Sequence, residues 1–186
     1  APSRIYRRKQ DRHLMTTFVT GLRPLQESEL ELVREWRNYP DVRRFMYTQH
    51  EISKEEHRSW FQRAQADSKR HLLLATQGGK PFGFVNIYVL DVVAKRAEWG
   101  FYLAPEAERG SGQILGNSAL HHAFCHLALH KLCSEALAYN FRSIRFHERL
   151  GFAREAQLRD HHFDGNTYHD VVCFGLLCSE WQGLGV

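Results

Sequence analysis

The chain has 186 residues, of which 43% are hydrophobic and 25% are charged, a composition typical of one globular domain with a sizeable core. Its formal net charge of +4 is already present in residues 1–14, which hold five Lys or Arg and one acidic residue, so the remaining sequence is balanced. A neutral body argues against nucleic-acid binding, and no apolar run approaches the length of a membrane-spanning helix.

The first 14 residues form a basic segment without apolar periodicity, and we interpret them as an N-terminal extension or an expression remnant. A short arm that binds RNA or a membrane is the functional alternative. Residues 15–186 are predicted to form a single domain. No apolar signal-peptide region follows the basic segment, and the four cysteines lack Cys-x-x-Cys spacing, which predicts reduced thiols in a cytoplasmic protein.

Apolar periodicity and turn residues predict a mixed α/β domain. Four helices are expected, at Glu29–Tyr39, after the Ser53–Glu56 capping box, from Gly112 to about His130, and at Ser143–Leu150. Strands are expected at Thr16–Leu25, Leu72–Ala75, Phe82–Leu90, Ala97–Leu103, Leu132–Tyr139, Phe152–His162 and Tyr168–Leu177.

A glycine-rich loop, Arg109-Gly-Ser-Gly112, joins a predicted strand to a predicted helix. Backbone N–H groups of such a loop and of the helix N-terminus can converge on a phosphate, although many glycine turns only connect elements. No Gly-Lys-Ser/Thr follows, so the loop is not a P-loop. It also lacks the acidic residue after the next strand that a dinucleotide site requires.

The order of motifs resembles the GNAT N-acetyltransferase superfamily. A strand ending at Leu103 leads into the glycine loop, a long helix and a strand, and then into Asn140 and the Gly151-Phe152 pair. The resemblance implies an α+β sandwich with a mixed, mostly antiparallel sheet of six to seven strands that helices flank. It also implies a splay between two central parallel strands and acetyl-CoA as the co-substrate, without a metal.

The N-terminal half is similar to the PseH-type branch of that superfamily, through Trp36-Arg-Asn38, Met46-Tyr47 and the string from Ile52 to Phe61. This similarity implies direct acetyl transfer to the amine of a UDP-4-amino-4,6-dideoxy-N-acetyl-altrosamine-type sugar, in pseudaminic acid synthesis for flagellin glycosylation. One alternative is an N-acetyltransferase of protein N-termini, such as ribosomal-protein alanine. The other is a CoA-binding regulatory module without turnover. A homodimer is left open.

By the same resemblance, backbone groups of one strand pair with the pantetheine amides, and the glycine loop binds the pyrophosphate. Ile114 departs from the family, which usually has Gly or Ala there, and Asn140 has helix N-capping as its alternative role. The implied cofactor-binding residues are Phe101, Tyr102, Leu103, Arg109, Gly110, Ser111, Gly112, Gln113, Ile114, Asn140 and Ser143.

His147 stands where the family usually has the Tyr that protonates the leaving thiolate. A histidine can supply that proton. The alternative is that His147 only packs against CoA while solvent supplies the proton. Both roles are compatible with the sequence.

Glu98 and His57 are the candidate bases for the acceptor amine. A structural carboxylate beside Arg96 is the alternative for Glu98, and a packing contact with Trp60 is the alternative for His57. Arg forks match phosphate oxygens, so Arg37 is a candidate for the UDP diphosphate, with a salt bridge at the helix end as its alternative. The candidate acceptor-binding residues are Arg37, Met46, Tyr47, His57, Asn86 and Tyr88.

Three histidines, at positions 122, 126 and 130, recur with helical spacing. Two of them could ligate zinc, but no Glu lies between them and no third ligand is evident. We therefore expect a solvated helix face and no metal site.

Overall fold

The computed structural model describes residues 20–183. The expected basic extension, and the expected start of the first strand before Thr20, lie outside the described residues. Within residues 20–183, no helix is both long enough and apolar enough to cross a membrane.

Seven strands, five α-helices, a 3-10 turn at Glu27–Glu29 and a π-helical turn at His122–His126 account for the regular structure of the described residues. The helices are α1 (Leu30–Asn38), α2 (Pro40–Arg43), α3 (Lys54–Ala66), α4 (Ser111–His121) and α5 (Phe141–Arg149). The strands are β1 (Thr20–Pro24), β2 (Arg70–Gln77), β3 (Lys80–Asp91), β4 (Arg96–Leu103), β5 (Lys131–Leu137), β6 (Ala153–Phe163) and β7 (Tyr168–Leu177).

The long helix expected from Gly112 to about His130 is shorter in the structure. The α-helix ends at His121, and a π-helical turn follows over His122–His126. In this turn the Leu127 N–H donates to the His122 carbonyl at 3.0 Å. A second departure is α2, which begins at Pro40, the residue expected only to end the preceding helix. Proline is well suited to a first helical turn because it has no N–H that needs a partner there.

The sheet has the strand order β1-β2-β3-β4-β5-β7-β6. Every neighbouring pair is antiparallel except β4 and β5, which run parallel. This arrangement confirms the predicted mixed sheet with two central parallel strands.

Apolar side chains cover both faces of the sheet. One core lies under α4 and α5 and includes Val85, Trp99 and Leu115, whereas the other lies under α1 and α3 and includes Phe84 and Leu74. Because successive strand residues point to opposite faces, β4 sends Trp99 to the α5 side and its neighbours to the α1 side. The two faces of β4 therefore contact different helices and present different side chains.

Candidate active site

The two parallel strands separate soon after they begin. β4 and β5 pair at three positions, the last of which joins Glu98 to Cys133. Beyond that row, β4 stays paired with β3 and β5 stays paired with β7. The two facing strand edges consequently offer backbone donors and acceptors to an extended ligand, as an added strand would use them. The predicted residues on this part of β4 are Phe101, Tyr102 and Leu103.

The glycine loop forms the N-terminal end of α4. Gly110 adopts a left-handed conformation with φ of 96°, which glycine reaches without steric cost. The Ser111 N–H donates to the Glu108 carbonyl, but the N–H groups of Arg109, Gly110 and Gly112 have no partner in the described residues. Unpaired N–H groups at a helix N-terminus suit a phosphate. All six predicted loop residues lie here: Arg109, Gly110, Ser111, Gly112, Gln113 and Ile114.

Asn140 caps the N-terminus of α5. Its Oδ1 accepts a hydrogen bond from the Ser143 N–H at 3.1 Å, so the capping role that the sequence left open is present. The cap uses only the oxygen of the Asn140 amide. The NH2 group remains able to donate, so capping and the predicted contact with pantetheine are compatible.

His147 is a core residue on α5, with 1% of its surface exposed. Its ring stacks on Phe174 at 4.9 Å between centroids and meets Trp99 edge to face. Nδ1 donates to the Ser143 carbonyl at 2.8 Å, whereas Nε2 is buried without a partner in the described residues. Burial lowers the pKa of His147 to about 4, and the Ser143 carbonyl opposes this shift only in part. At neutral pH the ring is neutral, and its single proton, on Nδ1, takes part in the hydrogen bond to the Ser143 carbonyl.

Glu98 lies on the opposite face of β4 from His147. Strand register places it in one row with Tyr88 of β3 and Cys133 of β5. Partial burial raises the pKa of Glu98 and the Glu135 carboxylate raises it further, while Arg70 lowers it. A carboxyl group with a raised pKa is suited to accept a proton near neutral pH.

Two other candidates border Glu98 on β3. The Arg70 guanidinium lies over the Tyr88 ring at 4.3 Å and donates to the Asn86 Oδ1 at 3.3 Å. Asn86 and Tyr88 therefore share the face of Glu98. Arg70 joins them through β2–β3 pairing, which its position in the sequence did not indicate.

A tyrosine from the segment between α2 and α3 reaches the same face. The Tyr47 hydroxyl donates to the Glu135 Oε2 at 2.5 Å, and its ring lies 4.9 Å from His162. Its neighbour Met46 is half-buried. Sequence reasoning missed Glu135, because only the β5 register shows that it shares a face with Glu98.

Arg37 and His57 occupy different environments. The Arg37 Nη2 donates to the Thr48 carbonyl at 2.9 Å, and its Nη1 is buried without a partner among the described residues. Burial lowers the pKa of this guanidinium, and Arg43 adds to the effect. His57 is buried, stacks on Trp60 at 5.1 Å and faces a groove between α1 and α3, where burial lowers its pKa. The structure thus does not bring His57 next to Glu98.

No group of three or more His, Cys, Asp or Glu side chains within residues 20–183 is arranged to hold a metal ion. His122 packs edge to face against His126 and His71, and burial lowers its pKa, so part of the stripe is less solvated than expected. All four cysteines are free thiols.

Comparisons with known proteins agree with this geometry. A sequence model described as the acetyltransferase (GNAT) domain matches residues 20–153. Acetyltransferase PseH of Campylobacter jejuni is 30% identical over 128 residues, covering 69% of this chain and 79% of that protein. Spermidine N(1)-acetyltransferase of Vibrio cholerae is 24% identical over 162 residues, covering 86% and 94%. The structure of a Vibrio cholerae spermidine N-acetyltransferase with CoA and spermine superposes with a TM-score of 0.80 at 23% identity, covering 87% and 96%.

Proposed function

We propose an acceptor for this chain on the premise that it belongs to the GNAT acetyltransferase family. The chain is an acetyl-CoA-dependent N-acetyltransferase. The acceptor that we propose is the amine of a nucleotide-linked amino sugar, the UDP-4-amino-4,6-dideoxy type. The assignment of this sugar as the acceptor draws on the similarity to acetyltransferase PseH.

One observation carries this proposal, the unpartnered Nη1 of Arg37. A buried guanidinium nitrogen without a partner is costly, and a diphosphate oxygen would satisfy it with a charge-assisted hydrogen bond. Arg37 lies near Tyr102 of β4. Burial raises the pKa of Tyr102, and the positive charge of Arg37 acts in the opposite sense. Four strand residues, or roughly 13 Å, separate Tyr102 from Glu98. An acceptor with an anionic group at one end and an amine at the other suits this spacing.

The proposed reaction is a direct transfer on this face of the sheet. Glu98 accepts a proton from the acceptor ammonium, and the neutral nitrogen attacks the thioester carbonyl carbon. The carbon–sulfur bond then breaks with its electron pair on sulfur, the nitrogen loses its second proton to water, and the thiolate is protonated. We assign that last proton to solvent and the packing role to His147, because the only proton of its neutral ring is held by the Ser143 carbonyl.

A cationic polyamine is the second candidate acceptor. Glu98 and Glu135 place two carboxylates on the acceptor face, and carboxylates attract ammonium groups. The similar Vibrio cholerae sequence and the similar Vibrio cholerae structure are both named for spermidine acetylation. A ribosomal N-terminal peptide is the third acceptor to be tested.

The experiment measures CoA release with acetyl-CoA and each of three acceptors: the UDP-amino sugar, spermidine and a ribosomal N-terminal peptide. We expect turnover with the sugar. Replacing Arg37 with Gln should raise the KM for the sugar on the order of 10- to 100-fold, the worth of a charge-assisted contact. The same variant should leave the KM for acetyl-CoA unchanged. Turnover with spermidine or the peptide alone would contradict the proposed acceptor.

A further inference from the structure

A second carboxylate lies where the two central strands separate. Glu98 is opposite Cys133 in the last paired row, and Glu135 is two residues further along β5. Paired residues of neighbouring strands share a face, and so do alternate residues of one strand. Glu135 is therefore on the face of Glu98, at the first β5 position on that face beyond the separation. One carboxylate from each strand flanks the opening.

Glu135 is oriented from outside the sheet. The Tyr47 hydroxyl donates to its Oε2 at 2.5 Å. Burial, and then acceptance by Glu135, raise the pKa of Tyr47 above its usual value, so the hydroxyl keeps the proton that it donates. The segment that carries Tyr47 has a second anchor, because the Tyr139 hydroxyl donates to the Arg44 carbonyl at 3.0 Å. The direction of the Glu135 carboxylate is consequently held by Tyr47, and the segment that carries Tyr47 is itself held by Tyr139.

Charged and titratable groups from several strands surround Glu98. Burial is the first cause of its raised pKa, Glu135 is the second, and Arg70 of β2 acts in the opposite sense. Arg70 is partly engaged by the Tyr88 ring and the Asn86 amide, so it only partly offsets the two carboxylates. The titratable and charged groups on this face are Arg70, Tyr88, Cys133, Glu135, Cys173, Tyr47 and His162.

We propose that Glu135 is a further positioning residue of the acceptor site, and that its carboxylate, oriented by Tyr47, keeps Glu98 able to accept the amine proton. Two like charges at one opening each disfavour the ionised state of the other, which increases the proton affinity of the pair. The inference deepens the proposed function and depends on it for the role of Glu98. The presence and orientation of the second carboxylate do not depend on which amine is the acceptor.

The first test is a direct titration of Glu98, which needs no acceptor. The side-chain carboxyl carbons of glutamate are labelled with 13C, and the Glu98 resonance is identified by its loss in Glu98→Gln. Replacing Glu135 with Gln removes the neighbouring charge, so the apparent pKa of Glu98 should fall. Glu148→Gln is the matched control, because Glu148 pairs with Arg154 away from this face. An unchanged titration of Glu98 in Glu135→Gln would overturn the inference.

The second test is the pH profile of kcat/KM with whichever acceptor supports turnover. In Glu135→Gln the acidic limb should move down in pH together with the Glu98 titration. Tyr47→Phe keeps the charge of Glu135 but releases its orientation, so we expect a higher KM for the acceptor and a smaller shift of the limb. A lower rate with an unmoved limb in Glu135→Gln would make Glu135 merely structural and refute the inference. If no acceptor is turned over, the proposed function fails, while the titration still decides the role of Glu135.

Discussion

Replacing His147 with Phe should change the pH dependence of stability and leave catalysis largely intact. The wild-type ring is buried, stacked on Phe174, and neutral because burial lowers its pKa to about 4. In the unfolded chain a histidine has a pKa of about 6.5. The folded state therefore favours the neutral ring. The contribution of the neutral His147 ring to the free energy of unfolding is fully present above pH 6.5. It is lost as the pH falls towards 4, because the unfolded chain then binds a proton that the folded chain does not.

The size of the effect follows from the two pKa values. Between pH 7 and pH 5, the difference in proton binding removes about 2 kcal/mol of unfolding free energy through this one residue. For a chain of this length, that corresponds to roughly 4–8 °C in the midpoint of thermal unfolding. A phenylalanine keeps the aromatic contacts and binds no proton, so this part of the pH dependence should disappear from the variant. Other histidines with lowered pKa values, such as His57 and His122, contribute equally to both proteins and cancel in the comparison.

The assay is thermal unfolding followed by circular dichroism at pH 7 and pH 5. Wild-type protein and His147→Phe are compared with His161→Phe, which replaces an exposed histidine of β6. Equal pH dependence in all three proteins would refute the reasoning about burial. Acetyl transfer at pH 7.5 is the second readout, and we expect His147→Phe to keep turnover within about threefold. A loss of roughly 100-fold or more is the usual cost of removing a general acid, and it would assign that role to His147 instead.

Gly110 and Gly100 give the remaining predictions, and Gly165 serves as the control for the first of them. Gly110→Ala and Gly165→Ala should have similar backbone costs of about 1 kcal/mol, because both positions have positive φ and open space around an added Cβ. Only Gly110→Ala should raise the KM for acetyl-CoA in steady-state kinetics, since its methyl group occupies the approach of the pyrophosphate. Equal KM values in the two variants would argue against the loop as the phosphate site. Gly100→Val should fold normally, because a Cβ there meets no atom within 4 Å, yet it should lose at least about tenfold in turnover by filling the face beside Glu98. Full activity in Gly100→Val would place the reacting groups elsewhere.

The local features of the fold were predictable from the sequence, because each depends on neighbouring residues. Ser53 caps α3 through the Glu56 N–H at 3.1 Å, and Gly165 supplies the positive φ of the last hairpin turn. The glycine loop follows the same rule, since a strand, a flexible turn and a helix N-terminus are adjacent in the chain. Helix and strand types were therefore right, except for α2, which was not predicted, and for the helix after the glycine loop, which ends at His121.

Features that depend on distant residues were not predictable in the same way. The helix after the glycine loop keeps its apolar period through Ala123 and Phe124, both of which are buried, so the sequence gives no sign that a π-helical turn begins at His122. The capping box predicted α3 but not which side of it packs against α1, and that packing buries His57. Glu135 joins the site only through the pairing of β5 with β4 and β7, and the local sequence of β5 does not identify these partners, which are distant in the chain.

Strand β4 separates two chemical environments, and this separation supports the proposed role of Glu98. Glu98 faces the more solvated side, where partial burial and then a neighbouring carboxylate raise its pKa without removing access to water. Trp99 is the next residue and faces the other side, where it packs against the ring of His147. A base must meet the acceptor amine and then release its proton, so it belongs on the open face. The apolar face suits the opposite requirement, because a dry, rigid aromatic wall fixes what packs against it and makes ionised groups costly.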